Sequence, residues 1–142
     1  MKILLAVDGS KASLKAVKCL LTQAAWYRER PSVRLVYVHP PVPRLPRMNL
    51  VVSAKQIQRF YEEDARKALV RAKRLLEAKG VPYSARLLVG PVAETIVREA
   101  VRGRCDLIVL GTRGMTAAAN MLLGSTATRV LHVSPVPVLL AK

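Results

Sequence analysis

Acidic side chains are scarce in this chain of 142 residues, where 9 Asp and Glu face 24 Lys and Arg. Cysteine is nearly absent as well. Cys19 and Cys105 lie in apolar stretches without CxxC spacing, which points away from a disulfide framework or thiolate metal cage and toward two buried, reduced thiols. His39 and His132 are too few and too isolated to build a metal site. Aromatic residues are rare, and they are not interleaved with Lys and Arg as a base-stacking surface requires. No RRM, zinc-finger or basic-zipper signature is present. Apolar runs fall far short of the roughly 18 residues of a membrane span. Met1-Lys2 leads straight into strand-like sequence without a cleavable signal pattern, so the expected compartment is the cytoplasm.

The acid deficit leaves a net charge of +15, which raises the prospect of anionic partners. The cations run from Lys2 to Lys142, however, and are read as a solvated surface with phosphate attraction second; nucleic acid is an unlikely partner. A 51% apolar composition at this length fits one globular domain spanning 1–142.

Strand and helix signals alternate from end to end, the pattern of a parallel sheet with helices on both faces. Ile3–Val7 is a continuous apolar run, as a central strand requires. Asp8-Gly9-Ser10 then turns the chain into a helix reaching about Trp26, with Ser10 as its N-cap and Leu14, Val17, Leu21 and Ala25 at helical spacing. Val33–Val38 is the second strand. Pro40, Pro41, Pro43 and Pro46 make residues 39–52 an irregular loop, long enough for a lid or rim. Ser53 and Gln56 form a capping box for a long helix whose apolar stripe is Ile57, Tyr61, Ala65, Ala68, Ala72 and Leu75. Glu62 with Arg66 and Glu63 with Lys67 support it outside, and Gly80 with Pro82 ends it. Tyr83–Val89 has the mixed polarity of an edge strand. Val92–Arg102 is a short helix stopped at Gly103, and Leu107–Leu110 is a second fully apolar strand. Val136–Leu140 closes the chain, with Pro137 demanding an edge.

Two central and two edge strands give the order 3-2-1-4-5, an open, five-stranded, Rossmann-like α/β sheet. Its switch point lies between strands one and four, where Asp8 and Gly111 leave the sheet. Ligands of such sheets bind there, outside the carboxyl ends of the strands. Gly111-Thr-Arg-Gly114, nine residues, then Gly124-Ser125 follow the fourth strand. Glycines at that place let backbone N–H groups approach a phosphate, and the next helix offers its positive end.

This glycine spacing, G-x2-G-x9-G-[ST], together with Asp8 resembles the nucleotide-binding type of the universal stress protein family. Ala6-Val-Asp-Gly-Ser10 looks like that family's opening, Asp106–Gly114 like its fourth strand and loop, and Pro135–Leu139 like its closing strand. The resemblance implies an adenine nucleotide alpha hydrolase-like fold and ATP as ligand. Backbone amides around Gly111, Arg113, Gly114, Gly124, Ser125 and Thr126 would hold phosphates and ribose, with the Ser125 hydroxyl donating to a phosphate oxygen. Val38 would meet adenine through its backbone, Ala6 and Leu110 would flank base and sugar, and Asp8 would reach the ribose or a phosphate-bound Mg²⁺ through water. Each position also has a plainer role: Gly111 ending a strand, Ser125 as N-cap, Asp8 as an Asx cap of the turn, Arg113 solvated. The chain departs from the family at Thr126, where an apolar β-branched residue is common, and at Ala117, Ala118 and Ala119, where polar or basic residues are.

No GxxxxGK[ST] lysine and no Ser/His/Asp set accompanies the motif, so at most slow ATP hydrolysis is expected. The expected function is that of an ATP-binding stress-response regulator acting as a nucleotide sensor. The competing readings are a ligand-free dimeric interaction module of the same fold and a basic nucleic-acid-associated protein. Val136, Val138 and Leu140 would expose an apolar edge, and the resemblance implies a homodimer through this C-terminal strand.

Overall fold

The computed structural model describes residues 1–23, 30–43, 53–112 and 123–142. Nine elements follow in the order β1 (Lys2–Ala6), α1 (Lys11–Thr22), β2 (Ser32–His39), α2 (Ala54–Ala78), β3 (Tyr83–Val89), α3 (Val92–Arg102), β4 (Leu107–Gly111), α4 (Ser125–Val133) and β5 (Val138–Ala141). All strand pairs are parallel, and the sheet order is β3-β2-β1-β4-β5. The expected topology holds.

Strand alternation divides the core between two faces. Ile3 and Leu5 of β1 pack with Ala16, Val17 and Leu20 of α1 and with Ala65, Leu69, Ala72 and Leu76 of α2. Leu4 and Ala6 point the other way, to Ala93, Ile96 and Ala100 of α3 and Ala127 and Val130 of α4. A strand covered on both sides needs no polar residue in its middle, which is why Ile3, Leu4, Leu5, Ile108 and Val109 are all fully buried.

The caps follow the side chains. Ser10 Oγ accepts the Ser13 N–H at 3.1 Å to start α1. In α2, Ser53 Oγ accepts from Gln56 N–H at 3.2 Å while Gln56 Oε1 accepts from Ser53 N–H at 2.8 Å, closing the expected capping box. The buried stripe of α2 is wider than its expected six positions, for Leu69 and Leu76 are buried whereas Ile57 and Leu75 are only partly so. Glu63 pairs with Lys67 at 3.1 Å, and Glu62 accepts from Gln58 Nε2 at 2.8 Å.

Several boundaries differ from expectation, among them β2, which gains Ser32 and His39, and β4, which extends to Gly111. The described part of α1 ends at Thr22; Ala25 and Trp26 lie outside the described residues. β1 begins and ends one residue early, though Val7 still donates to Val36 O at 3.0 Å. β5 starts at Val138 because Pro137 has no N–H for the ladder; its C=O nonetheless accepts from Ile108 N–H at 2.9 Å, and the edge position holds.

Candidate functional site

β1 and β4 are neighbours whose outgoing chains cover opposite faces of the sheet, so a crevice opens between their carboxyl ends. Asp8 leaves β1 there. Its Oδ1 accepts the Ser10 N–H at 2.9 Å, so the Asx-cap role is present in the structure. Gly9 completes the turn at φ +84°, a backbone region glycine enters freely. Gly111 ends β4 directly beside this turn: a Cβ on it would lie 2.7 Å from the backbone C and O of Ala12. The glycine therefore lets β4 meet the first turn of α1, which brings the two strand exits together as the sequence order required.

The second half of the glycine series returns to the same place. Gly124 N–H donates to Thr112 O at 2.7 Å, and Thr112 N–H is itself fixed to Ala141 O at 3.0 Å. This pair of bonds closes the loop between β4 and α4, so that Gly111 and Gly124 stand at one crevice mouth. Gly124, not Ser125, is the N-cap of α4, with extended φ −74° and ψ 156°; the N-cap reading of Ser125 is corrected. A glycine cap has no side-chain acceptor, so among the described residues no side-chain oxygen caps the first-turn N–H groups of Ser125 and Thr126. Ser125 is exposed and Thr126 half-buried. Those amides and the Ser125 hydroxyl form a donor set at the positive end of a helix, the arrangement that suits an anion. Arg113, Gly114 and the run Ala117–Ala119 lie outside the described residues.

Ala6 at the end of β1, Val38 one residue before the end of β2 and Leu110 one residue before the end of β4 pack in one cluster on the α3/α4 face. Val38 has a further property. Val36 O accepts from Val7 on the β1 side, whereas His39 O accepts from Gly90 N–H at 3.0 Å on the β3 side. By strand alternation the N–H and C=O of Val38 face the β1 side, one step past the last ladder pair, Ala6 with Val36. They point into the crevice.

The opposite wall carries a group that sequence reasoning missed. His39 lies 3.5 Å from Asp64 of α2 through Nε2, and its ring meets Tyr37, Phe60 and Tyr61. Tyr61 Oη accepts the Val42 N–H at 2.9 Å and so ties the start of the proline-rich loop to α2. Burial, and then the charges of Asp64 and Asp8, push the Tyr37 hydroxyl above its ordinary range. A signal existed: Tyr37 and His39 alternate onto the α2 face, and Phe60, Tyr61 and Asp64 recur at helical spacing. Among the described residues, no cluster of three or more His, Cys, Asp or Glu forms a metal site. None of the described helices is long and apolar enough to cross a membrane.

The whole chain, residues 1–142, matches the universal stress protein family. Universal stress protein MJ0531 of Methanocaldococcus jannaschii is 36% identical over 142 residues, covering 99% of this chain and 81% of its own length. Among solved structures, hypothetical protein MJ0577, from the same organism, superposes with a TM-score of 0.81 at 27% identity, covering 99% of this chain and 94% of its own. The universal stress protein of Archaeoglobus fulgidus in complex with dAMP shares the fold, with a TM-score of 0.67 at 23% identity, covering 100% of this chain and 98% of its own. The strand order, the glycine series that the Thr112–Gly124 bond closes, and these likenesses agree: the chain belongs to the universal stress protein family.

Proposed function

We propose that this protein is a nucleotide sensor that binds ATP in the crevice between β1 and β4 and reports its occupancy to a partner. The observation that carries the reading is the 2.7 Å bond from Gly124 N–H to Thr112 O, because it sets the uncapped end of α4 beside the end of β4. Phosphates would lie on the amides of Gly111, Arg113, Gly114, Gly124, Ser125 and Thr126, with the Ser125 hydroxyl as a further donor. Adenine would meet the inward-facing peptide of Val38, and Ala6 and Leu110 would flank base and sugar. Asp8 would meet a phosphate-bound Mg²⁺ through water. The related fold that holds dAMP supports an adenine nucleotide as the class.

The chain would act as one unit in the cytoplasm and as a homodimer paired through β5. The test is residue-resolved. On addition of MgATP, the amide resonances of Val38, Gly124, Ser125 and Thr126 shift together and saturably. Shifts confined to other parts of the molecule overturn the placement. Replacing Ser125 by Ala removes one donor to a charged oxygen and weakens binding about tenfold.

A further inference from the structure

The cations that are dispersed along the chain are gathered by the fold. α1 carries Lys11, Lys15 and Lys18, all exposed, and no acid. The second half of α2 adds exposed Lys67, Arg71 and Arg74, with Lys79 just after it. The four acids of α2 are all engaged, Glu62 by Gln58 at 2.8 Å, Glu63 by Lys67 at 3.1 Å, Asp64 by His39 at 3.5 Å and Glu77 by the Tyr83 hydroxyl at 2.5 Å. The other helical layer is nearly neutral, since α3 has two acids and two arginines and α4 a single arginine.

The two basic stretches lie side by side. α1 and α2 pack against each other, and the Gly9 turn, one step before α1, approaches Ala68 so closely that a Cβ on Gly9 would lie 3.1 Å from the Ala68 Cα. Both helices then run back along the sheet, so Lys11, Lys15 and Lys18 travel beside Arg71, Arg74 and Lys79. Among the described residues, no carboxylate pairs with Lys11, Lys15, Lys18, Arg71 or Arg74. The pattern also opposes local helix stability. Lys11 occupies the first helical position, at the positive end of the dipole, and repels Lys15 one turn on.

We propose that this α1/α2 face binds duplex nucleic acid through its phosphate backbone, without reading sequence. Lys11 to Lys18 span about 10 Å at the rise of a helix. That is the axial length of about three phosphates on one strand. Neither α1 nor residues 65–78 of α2 contains an aromatic side chain, so bases are not stacked and a single strand gains nothing here. Val70, 37% exposed, is the one large apolar side chain that α1 and this half of α2 expose, which leaves no apolar face to insert into a lipid layer.

The test is a titration of a short mixed-sequence duplex with the whole protein, followed by fluorescence anisotropy between about 50 and about 200 mM salt. Contacts through Lys11, Lys15, Lys18, Arg71 and Arg74 predict a slope of log K against log salt of about −4.5. The triple variant Lys11→Gln, Lys15→Gln, Lys18→Gln loses about 2.7 of that slope. A control with equal charge loss, Arg104→Gln, Arg129→Gln, Lys142→Gln, keeps the slope. Equal losses in both variants would mean attraction by net charge alone and overturn the site. So would absence of duplex binding at the lowest salt, or tighter binding to vesicles of anionic lipid than to the duplex. Should the α1 variant fail to give the wild-type circular dichroism spectrum, Arg71→Gln with Arg74→Gln replaces it, with an expected slope loss of about 1.8.

Discussion

Glu99 shows most clearly what a single residue can hold together. Only 4% of its side chain is exposed, yet it accepts from Arg34 at 2.7 Å, Arg86 at 2.8 Å and Arg102 at 2.7 Å, tying α3 to β2 and β3. Burial alone would raise its carboxyl; the bonds from Arg86 and Arg34, with the charge of Arg102, outweigh burial and hold it below its ordinary value of 4.5. A depressed folded-state pKa adds stability above the unfolded value and loses it as pH falls through the folded one. Thermal melts of the wild type should therefore lose stability steeply below about pH 4.5, and Glu99→Gln should flatten that limb. At neutral pH, Glu99→Ala should cost about 2 kcal/mol by chemical denaturation, less than a fully buried pair because Arg86 and Arg102 are half exposed. Arg102 is an i,i+3 neighbour on the same helix, but the bonds from Arg34 and Arg86 could not be read beforehand, since those residues lie on separate strands far from Glu99 in sequence. Asp8 and Gly111 were legible at the same scale because each follows directly on an apolar strand. Ser125 was placed one position wrong as a cap, for either residue of a Gly-Ser pair can fill that position and only the extended backbone of Gly124 decides.

At the scale of elements, the fourth strand and the first helix depend on one missing methyl group. Gly111→Ala would drive a Cβ into the Ala12 backbone, which cannot yield as a flexible side chain would. The expected loss is about 2 kcal/mol in denaturant unfolding, together with weaker nucleotide binding, because the Asp8 turn and the end of β4 move apart. A variant as stable as the wild type would contradict the close approach. The elements themselves were largely visible in the sequence. Capping residues, helical stripes and the two all-apolar runs each have a local cause, and β3 and α3 match their expected spans. Boundaries slipped where the cause is not local. β5 begins after Pro137 because its donors must match β4, and the stripe of α2 widens to Leu69 and Leu76 because the helix covers both β2 and β3. The tie from His39 to Asp64 was hidden for the same reason: it forms only once α2 is laid on β2.

The whole molecule joins these pieces into one crevice, a sheet with β3 and β5 at its edges, and one basic face. Strand order was legible because two strands are apolar on both sides and must be central, and that order by itself sets the crevice between β1 and β4. β5 pairs with β4 alone among the described strands, so an unpaired edge remains. Sedimentation at micromolar concentration should return the mass of a dimer, and a monomer would count against pairing through β5. The asymmetry of charge between the helical layers was not legible, because it depends on which helices share a face. The central claim is that the glycine series holds a nucleotide. Equilibrium titration of MgATP measures it most directly: saturable binding below millimolar concentration by the wild type, lost in a folded Gly114→Val variant, is the predicted result. No binding at millimolar nucleotide, or equal binding by the variant, would contradict it.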